Sequence, residues 1–429
     1  MTHTALHRLV SPGAVKTGGR LRHCAKGWTL TNAHASVALA ATPGCALDGL
    51  RDDALVRLDA IWDGQILHVT TLELIHSPPF AASSTLTTPA PGALSHSEAA
   101  RARAALNTTA RRFFAERDFL EVETPAWVES PGTDIYLNPF EADFNLDPGT
   151  APPTLRGYLH TSPEFAMKRL LSEGFERIYQ LTHVWRNGEV TALHNPEFTI
   201  LEWYRAWQEV DEIIDDVEAL VRRVLERSAH TLADAPFARR TMQEVFEAAC
   251  GIDLLEALDF DTLHRAASAR GLLSRRTHTS RRWDELFFEL VVSHLDPYLA
   301  TLGPIFVTDW PTELAVLARK NAHDPRTAER FELYIGGLEL ANGFGELTDP
   351  TEQRARFEAD LIERQTLGLP TLPMPEKFLD ALTHGMPPSA GVALGVDRLL
   401  MLATGAKTIS EVAPFALERD EATGQIRWR

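Results

Sequence analysis

The chain has 429 residues, 44% hydrophobic and 24% charged, which is enough for more than one domain with a sizeable core. It has no apolar run long enough to span a membrane and no signal-peptide pattern at its start, so we expect a cytoplasmic protein. At a net charge of −17, nucleic-acid binding would need a local basic patch; none is evident, and a basic protein partner suits this charge equally well.

The first 80 residues have the pattern of a small all-β barrel. Five strand-like segments occur in order, GRLRH, GWTLTN, SVALAAT, ALVRLDAIW and ILHVTTLELI, and Asp63-Gly64 predicts a hairpin between the last two. Five short strands in about sixty residues predict a barrel of the OB type over residues 1–80. These residues carry seven Lys/Arg against six Asp/Glu, and their only tryptophans are Trp28 and Trp62. An RNA-binding OB face is basic with stacking aromatics, so we expect a barrel that does not bind RNA.

A segment rich in Pro, Ser, Thr and Ala follows and predicts a linker over residues 81–97. Residues 98–429 then form the second predicted domain. It opens with a helix that places Leu106, Ala110, Phe113 and Phe114 at helical spacing, followed by a strand that ends near Pro125. Residues 210–300 predict a mainly helical insertion with a scaffold role.

The segment Val184–Trp207 predicts two strands joined by a polar loop. Four alternating side chains of the second strand share one face: Phe198, Ile200, Glu202 and Tyr204. This face suits a pocket that stacks a flat ring and binds a cation. Arg186 and His194 flank the loop and can reach phosphate oxygens. The alternative is a chance amphipathic hairpin.

The segment Glu329–Leu347 predicts a second hairpin, with Gly336-Gly337 as its two-residue turn. This turn pairs Tyr334 with Glu339 and places Glu332 diagonal to Glu339, about 7–8 Å away. Two facing carboxylates repel each other unless a cation lies between them, and Mg²⁺ bound to phosphate oxygens suits that position. The alternative is an exposed charged strand.

Two shorter segments contain further candidates. In GVALGVDRLLML, a strand of small residues leads into a helix whose first turn contains Arg398, where a cation is favourable if an anion lies opposite. The alternative is a salt bridge between Arg398 and Asp397 or another carboxylate. In LHTSPEFAMKRLL, Glu164 lies near a helix start, where it is either a ligand-binding carboxylate or an ordinary partner of the helix dipole.

In this order, these segments resemble the motifs of class II aminoacyl-tRNA synthetases of the aspartyl, asparaginyl and lysyl subgroup, over about residues 97–416. HNPEFTILEWY is nearly the lysyl form of motif 2, GVALGVDRLLML resembles motif 3, and the first helix and strand resemble motif 1, which forms the dimer interface in that family. The resemblance implies an α+β fold, with a class II antiparallel sheet flanked by helices after the OB-like barrel, and a homodimer.

The resemblance also implies residue roles. It implies that Arg186, His194 and Arg398 are the catalytic residues for activation of the amino acid by ATP. Further ATP contacts fall to Asn187, Phe198, Glu332 and Glu339, of which Glu332 and Glu339 also bind Mg²⁺. The amino-acid substrate falls to Ser162, Glu164, Glu202, Tyr204, Asn342, Glu346 and Ala393.

Within the family, the sequence is most similar to the elongation factor P–β-lysine ligase branch. Ser162 and Ala393 stand where lysyl-tRNA synthetases usually have Ala and Gly, and LELANGF and SEVAPF are also similar to that branch. The resemblance implies ATP-dependent activation of lysine or β-lysine as an adenylate and its transfer to a lysine of elongation factor P, with tRNA a less favoured acceptor. The branch lacks an anticodon domain, so the N-terminal barrel departs from its usual architecture.

A second departure lies in motif 2. Gly188 occupies the position of the family's adenine-binding glutamate, Glu189 follows it, and Ala192 replaces a loop arginine. These changes leave open a weakened ATP site or a loop rebuilt around Glu189. The alternatives to the ligase are therefore a lysyl-tRNA synthetase or truncated paralogue, and a catalytically weak regulatory protein that senses a lysine-like ligand.

Overall fold

The computed structural model of the protein describes residues 4–32, 35–43, 45, 47, 49–78, 94–147, 149, 154–226, 228, 232, 234–274, 281–420 and 423–428. The chain forms two compact units, Met1–Ala100 and Arg101–Arg429. Most of the predicted linker, residues 81–97, lies outside the described residues.

The first unit contains a closed five-stranded barrel. Its strands are β1 (Gly13–Cys24), β2 (Gly27–Thr31), β3 (Ser36–Ala41), β4 (Leu55–Trp62) and β5 (Ile66–His76). They are ordered β1-β2-β3-β5-β4, and β4 pairs back onto β1. Only the β3–β5 pairing is parallel, and alternate residues of β4 face a buried core that includes Leu58 and Trp62. The predicted OB-like barrel is confirmed.

Carboxylates of the barrel engage several of its basic side chains. Three ion pairs show this: Lys16–Asp59 at 3.5 Å, Arg22–Asp53 at 2.8 Å and Arg57–Glu73 at 3.0 Å. Trp62 packs into the core. Three basic side chains and Trp62 therefore make contacts within the barrel, which leaves fewer of them available for binding RNA.

An eight-stranded sheet forms the centre of the second unit, in the order β12-β13-β14-β15-β16-β11-β10-β6. Its strands are β6 (Leu120–Glu121), β10 (Arg177–Trp185), β11 (Glu197–Ala206), β12 (Ala238–Thr241), β13 (Ile305–Pro311), β14 (Thr327–Ile335), β15 (Leu338–Gly345) and β16 (Ser389–Gly395). Each strand from β13 along the sheet to β10 pairs antiparallel with its neighbour. The two edge strands pair in parallel, β12 with β13 and β6 with β10. The predicted class II sheet is confirmed.

Two small sheets accompany it. One contains β7 (Trp127–Val128), β8 (Phe140–Glu141) and β9 (Tyr158–Leu159), and the other contains β17 (Leu417–Arg419) and β18 (Ile426–Trp428).

Helices flank the main sheet. They are α1 (His96–Ala115), α2 (Glu164–Ser172), α3 (Val210–Leu225), α4 (Met242–Cys250), α5 (Phe260–Ala269), α6 (Trp283–Leu290), α7 (Asp296–Leu299), α8 (Pro350–Thr366), α9 (Glu376–His384), α10 (Val396–Thr404) and α11 (Ile409–Val412). The apolar face predicted for α1 is buried, and its Phe114 ring stacks on Tyr179 with a centroid distance of 4.3 Å. None of the described helices combines the length and apolar character that a membrane crossing requires.

The region 210–300 is not purely helical. Its helices α4 to α7 pack around a core in which Phe246 and Phe287 stack at 5.6 Å, and a short π-helical segment, Val291–Leu295, joins α6 to α7. Strand β12 of this region extends the main sheet by pairing with β13. The region is therefore anchored to the sheet by backbone hydrogen bonds.

The β14–β15 hairpin turns at Gly336 and Gly337, whose positive φ values of 61° and 79° suit a tight hairpin turn. Tyr334 lies opposite Glu339, as the sequence predicts. A β-bulge then shifts the register, so that Glu332 lies opposite Asn342.

Candidate active site

A cavity of about 400 Å³ lies in the second unit, lined in part by β11, β15 and β16. The four alternating side chains of β11 all line it, as their shared face predicts. Eleven of the candidate residues line the cavity: Ser162, Glu164, Arg186, His194, Phe198, Glu202, Tyr204, Glu339, Asn342, Ala393 and Arg398. Three candidates do not line it: Asn187, Glu332 and Glu346. The backbone N–H of Asn187, an exposed residue, donates to the carbonyl of Asn138.

Glu202 is a buried carboxylate held from both sides. The Tyr204 hydroxyl donates to its Oε1 at 2.6 Å, and the Ser162 hydroxyl donates to its Oε2 at 2.8 Å. Burial raises the pKa of Glu202 to about 7, and the nearby charge of Glu164 adds to the increase. A cation bound beside Glu202 would stabilise the ionised carboxylate and lower this pKa.

Gly391 makes room for the Tyr204 ring. A Cβ atom at residue 391 would lie 2.3 Å from that ring and 2.9 Å from Oε1 of Glu346, so any side chain there would displace the phenol that orients Glu202. Ala393 pairs with Glu202 on one side and with Asn342 on the other, which places its methyl group between two candidate substrate contacts.

Lys168 is a functional residue that sequence reasoning missed. Its side chain is 1% exposed, and its Nζ atom lies 2.5 Å from both Oε1 of Glu164 and Oε2 of Glu346. Burial lowers the pKa of Lys168 but the two carboxylates raise it more, so the ammonium stays charged. The available signal was the spacing of Glu164 and Lys168, which are four residues apart and share one face of α2.

Glu346 is fully buried behind the cavity wall. Burial raises its pKa, and Lys168 opposes that increase. Its Oε1 atom has no hydrogen-bond partner in the described part of the chain. Glu164 and Glu202 are therefore the carboxylates that a ligand in the cavity meets directly, with Glu346 as the buried partner of Lys168.

Arg186 and Arg398 supply positive charge to another part of the cavity. The guanidinium of Arg186 lies over the Phe198 ring, 5.0 Å from its centroid, and its buried Nε has no hydrogen-bond partner among the described residues. Arg398 donates to the carbonyl of Glu339 at 2.8 Å and contacts the Glu339 carboxylate at 3.3 Å. Both cations are placed to bind an anion.

The alternative role of Arg398, an ion pair with a carboxylate, is present in the structure, but its partner is Glu339 at 3.3 Å and not Asp397. Asp397 instead binds Arg103 of α1 and accepts from the backbone N–H of Thr199 at 2.7 Å. Asp397, which also lines the cavity, thus joins α1 to β11, while Arg398 contacts Glu339 and His194.

His194 connects the motif 2 loop to Arg398. Its Nε2 lies 2.7 Å from an Arg398 nitrogen, and its Nδ1 lies 2.8 Å from the Thr191 hydroxyl. Burial and the charges of Arg398 and Arg186 lower the pKa of His194, so the imidazole is neutral. Because Arg398 is always a donor, Nε2 accepts and the proton resides on Nδ1.

The turn after β10 places a carboxylate in the cavity one residue beyond Gly188. Gly188 has φ 89°, a conformation that strains any other residue type, and it lies in the turn that follows β10. Glu189 then lines the cavity, where burial raises its pKa against the opposing effect of Arg186 and Arg398. The cavity thus contains a carboxylate at residue 189, directly after the position at which the family resemblance predicts one.

The two carboxylates of the β14–β15 hairpin differ in access. Glu339 lines the cavity, whereas the oxygens of buried Glu332 accept from Arg330 at 2.6 Å and from Tyr334 at 2.5 Å. Burial and the charge of Glu339 raise the pKa of Glu332 to about 7. Within the described residues, no three His, Cys, Asp or Glu side chains form a metal-binding group. Glu339 fits a direct cation ligand, and Glu332 fits a negative group behind it.

The chain is similar to known proteins over the whole second unit. Residues 93–419 match the family of tRNA synthetases class II (D, K and N). The elongation factor P–(R)-β-lysine ligases of Edwardsiella ictaluri and Erwinia tasmaniensis are 44% and 45% identical to it, over 74% of this chain and 94% of each relative. The ligase of the same name from Hamiltonella defensa is 42% identical, over 72% of this chain and 92% of the relative.

Replacing Lys168 with methionine removes the charge between Glu164 and Glu346 while keeping most of the side-chain volume. We expect Lys168→Met to lower the free energy of unfolding of the second unit by about 3–5 kcal/mol at pH 8, because it leaves a buried carboxylate uncompensated. The loss should shrink towards pH 5. The folded-state pKa of Glu346 lies above its unfolded value, so its destabilising effect grows as pH rises between the two. Urea unfolding at both pH values measures this.

The double variant Lys168→Met/Glu346→Gln provides the control. It removes the uncompensated charge and should recover a large part of the lost stability. Equal losses in the single and double variants would show that Lys168 acts through packing alone.

Proposed function

The chain belongs to the class II tRNA synthetases (D, K and N) and is a ligase, and on that basis we propose that it activates lysine or β-lysine with ATP and transfers it to a lysine of elongation factor P. The observation that carries this proposal is a single cavity lined both by two arginines that can bind phosphate and by buried carboxylates that can bind ammonium groups. The relatives that are 42–45% identical to the chain are elongation factor P–(R)-β-lysine ligases, and they suggest the acceptor.

The charges around the amino-acid end match a substrate with two amino groups. Glu164, Glu202 and Glu346 bring three negative charges when ionised, and Lys168 cancels one of them, which leaves two. A diamino acid carries two ammonium groups. An amino acid with a neutral side chain would leave one buried charge unpaired, and such a mismatch is strongly disfavoured.

In our assignment, Glu164 binds the amino group nearest the carboxylate and Glu202 binds the side-chain ammonium, with Tyr204 and Ser162 holding Glu202 in place. Asn342, oriented by a 3.2 Å hydrogen bond from Arg330, contacts the substrate beside Ala393. The Ala393 methyl group narrows the space in which the first amino group lies. We propose that this favours β-lysine, whose amine lies one carbon further from the carboxylate.

Activation requires neutralisation of charge and little acid–base chemistry. The substrate carboxylate oxygen bonds to the α-phosphorus of ATP, and the bond from that phosphorus to pyrophosphate breaks. Arg186, whose guanidinium has no carboxylate partner among the described residues, is assigned to the α-phosphate, and Arg398 to the γ-phosphate. Neutral His194 holds Arg398 in position, and Phe198 stacks on the adenine. Fixed cations in a partly buried site stabilise the developing charge without reorganisation.

Magnesium is the implied cofactor. Glu339 would hold it directly and Glu332 would supply negative charge from behind, with a bound Mg²⁺ neutralising triphosphate oxygens. The raised pKa of Glu332 supports this assignment, because two close carboxylates favour a cation between them.

Elongation factor P is a better candidate acceptor than tRNA. Phosphate contacts dominate nucleic-acid affinity, and the barrel has a balanced charge with several cations already paired. A translation factor and ATP as substrates place the reaction in the cytoplasm. By its motif 1 likeness, α1 is the proposed interface of a homodimer.

A lysine-sensing protein without catalysis is the alternative that Gly188 and Ala192 suggest. The position of Glu189 in the cavity favours the enzyme, because the rebuilt loop retains a carboxylate near Arg186 and Arg398.

Pyrophosphate exchange with each lysine isomer, followed by mass spectrometry of elongation factor P, tests the proposal. We expect exchange that depends on lysine or β-lysine, and a mass increase of one such residue on the factor. Arg398→Ala should lower the exchange rate about a hundredfold or more, because it removes a transition-state phosphate contact. If the unmutated protein shows no exchange with any lysine isomer, the proposal that it is an enzyme is rejected.

The rebuilt loop predicts opposite effects of two substitutions. Glu189→Ala should raise the Michaelis constant for ATP, because it removes the carboxylate that lines the nucleotide part of the cavity. Gly188→Glu should not improve ATP binding, since a residue other than glycine at φ 89° costs about 1–2 kcal/mol. Steady-state exchange kinetics at varied ATP measure both. An inert Glu189→Ala together with an improved Gly188→Glu would contradict the rebuilt loop.

A further inference from the structure

Asp360 is a further acidic residue that lines the same cavity, and the proposed activation step does not use it. Asp360 on α8 is 8% exposed, and its Oδ2 accepts a 2.9 Å hydrogen bond from the Thr133 hydroxyl. Thr133, Asp134 and Asp360 all line the cavity. In the described part of the chain, Oδ1 of Asp360 has no hydrogen-bond donor, so this oxygen is available to a ligand.

Two arginines lie near Asp360, but neither donates a hydrogen bond to its carboxylate. Their charges oppose the increase in its pKa, to which the charge of Asp134 adds. Arg364 donates to the backbone carbonyls of Asp134, Leu137 and Pro370. Arg356 donates to Glu352 and to carbonyls of residues 315, 316 and 318. Burial, the largest cause, raises the pKa of Asp360 to about 7.

Asp360 is connected to both parts of the reaction site through the loop 131–138. The Thr161 hydroxyl donates to the carbonyl of Pro131 at 3.1 Å, which ties this loop to the segment that presents Ser162 and Glu164. At its other end, the carbonyl of Asn138 accepts from the backbone N–H of Asn187 at 2.7 Å, directly after Arg186. The carboxylate therefore lies beside a loop that borders both the amino-acid and the phosphate contacts.

We propose that Asp360 is the base that takes a proton from the ammonium group of the acceptor lysine. This inference rests on the proposed function, because it concerns only the transfer step. Asp134, exposed and acidic, would attract the incoming ammonium, and Asp360 would receive it inside the cavity.

The step balances as follows. The acceptor ammonium gives one proton to the Asp360 carboxylate and becomes a neutral amine. The amine nitrogen forms a bond to the acyl carbon of the adenylate, and the bond from that carbon to the phosphate oxygen breaks, with AMP leaving with the electron pair. The second proton on nitrogen passes to solvent, and Asp360 returns its proton to solvent before the next turnover.

This chemistry needs a base that activation does not. An acceptor lysine has a pKa of about 10.4, so it is almost entirely protonated and unreactive at neutral pH. Glu164 and Glu202 are assigned to the substrate amino groups. A carboxylate with a pKa near the working pH combines a large ionised fraction with adequate basicity.

Asp360→Asn separates transfer from activation. Enzyme loaded with ATP and the active lysine isomer is mixed with either elongation factor P or hydroxylamine, which is largely unprotonated at neutral pH and needs no base. We expect transfer to elongation factor P at pH 7 to slow about a hundredfold. Pyrophosphate exchange and hydroxylamine capture should stay about unchanged, which also shows that the variant is folded.

The pH dependence distinguishes a base from a structural residue. In the unmutated enzyme, the transfer rate should fall as pH drops through about 7, because the Asp360 carboxylate becomes protonated. In Asp360→Asn this inflection should disappear, and the deficit should shrink at high pH as the acceptor loses its own proton. Asp360→Glu should restore part of the rate. Glu358→Gln, an exposed charge change on the same helix, should leave transfer unchanged.

Two results would overturn the assignment while leaving the proposed function intact. Unchanged transfer in Asp360→Asn would show that no proton passes through this carboxylate. An equal loss of exchange and transfer would assign Asp360 to substrate binding or folding. Absence of exchange in the unmutated enzyme would remove the proposed function and this inference together.

Discussion

The ammonium of Lys168 between Glu164 and Glu346 is the interaction on which the rest of the site depends. Buried carboxylates repel one another and lose hydration, so a cluster of them is destabilising unless a cation compensates it or some of its members are protonated. Lys168 supplies that cation from the same helix face as Glu164, and it leaves Glu202 and Glu164 facing the cavity. With Lys168 in place, the carboxylates of Glu164 and Glu202 still line the cavity, and in our proposal they bind the two ammonium groups of the substrate.

The antiparallel sheet turns this charge pattern into a defined geometry. Ala393 of β16 pairs with Asn342 of β15 on one side and with Glu202 of β11 on the other, so the backbone register fixes the order of these three residues across the sheet. At the cavity wall, Asp397 binds Arg103 and the Thr199 N–H, whereas its neighbour Arg398 contacts His194 and Glu339. Neighbouring residues of one motif thus have separate structural and chemical tasks.

Much of this arrangement was predictable from local patterns. Strict alternation on β11 predicts the cavity-lining face, and the paired glycines at residues 336 and 337 predict the hairpin that sets Tyr334 opposite Glu339. The five short strands of the barrel follow from turn residues and spacing. Each of these features depends on neighbours that are close in sequence.

The features that escaped prediction depend on long-range packing. The contact between Lys168 and Glu346 joins residues 178 positions apart, and no local pattern signals that Glu346 lies behind the cavity wall. Likewise, the positive φ of Gly188 and the pairing of β12 with the sheet edge are set by tertiary structure. The acidic side chain of Asp360 carries no motif, and only the fold brings it into the cavity.

Proton release on binding of the lysine isomer that supports exchange tests the charge-balance account most directly. In the free enzyme, the pKa of Glu202 is about 7, so this carboxyl group is partly protonated at neutral pH. A bound ammonium lowers that pKa and expels the proton. Isothermal titration at pH 7 in two buffers of different ionisation enthalpy should therefore show net proton release, which Glu202→Gln should reduce. Binding without proton release, or with proton uptake, would contradict the account.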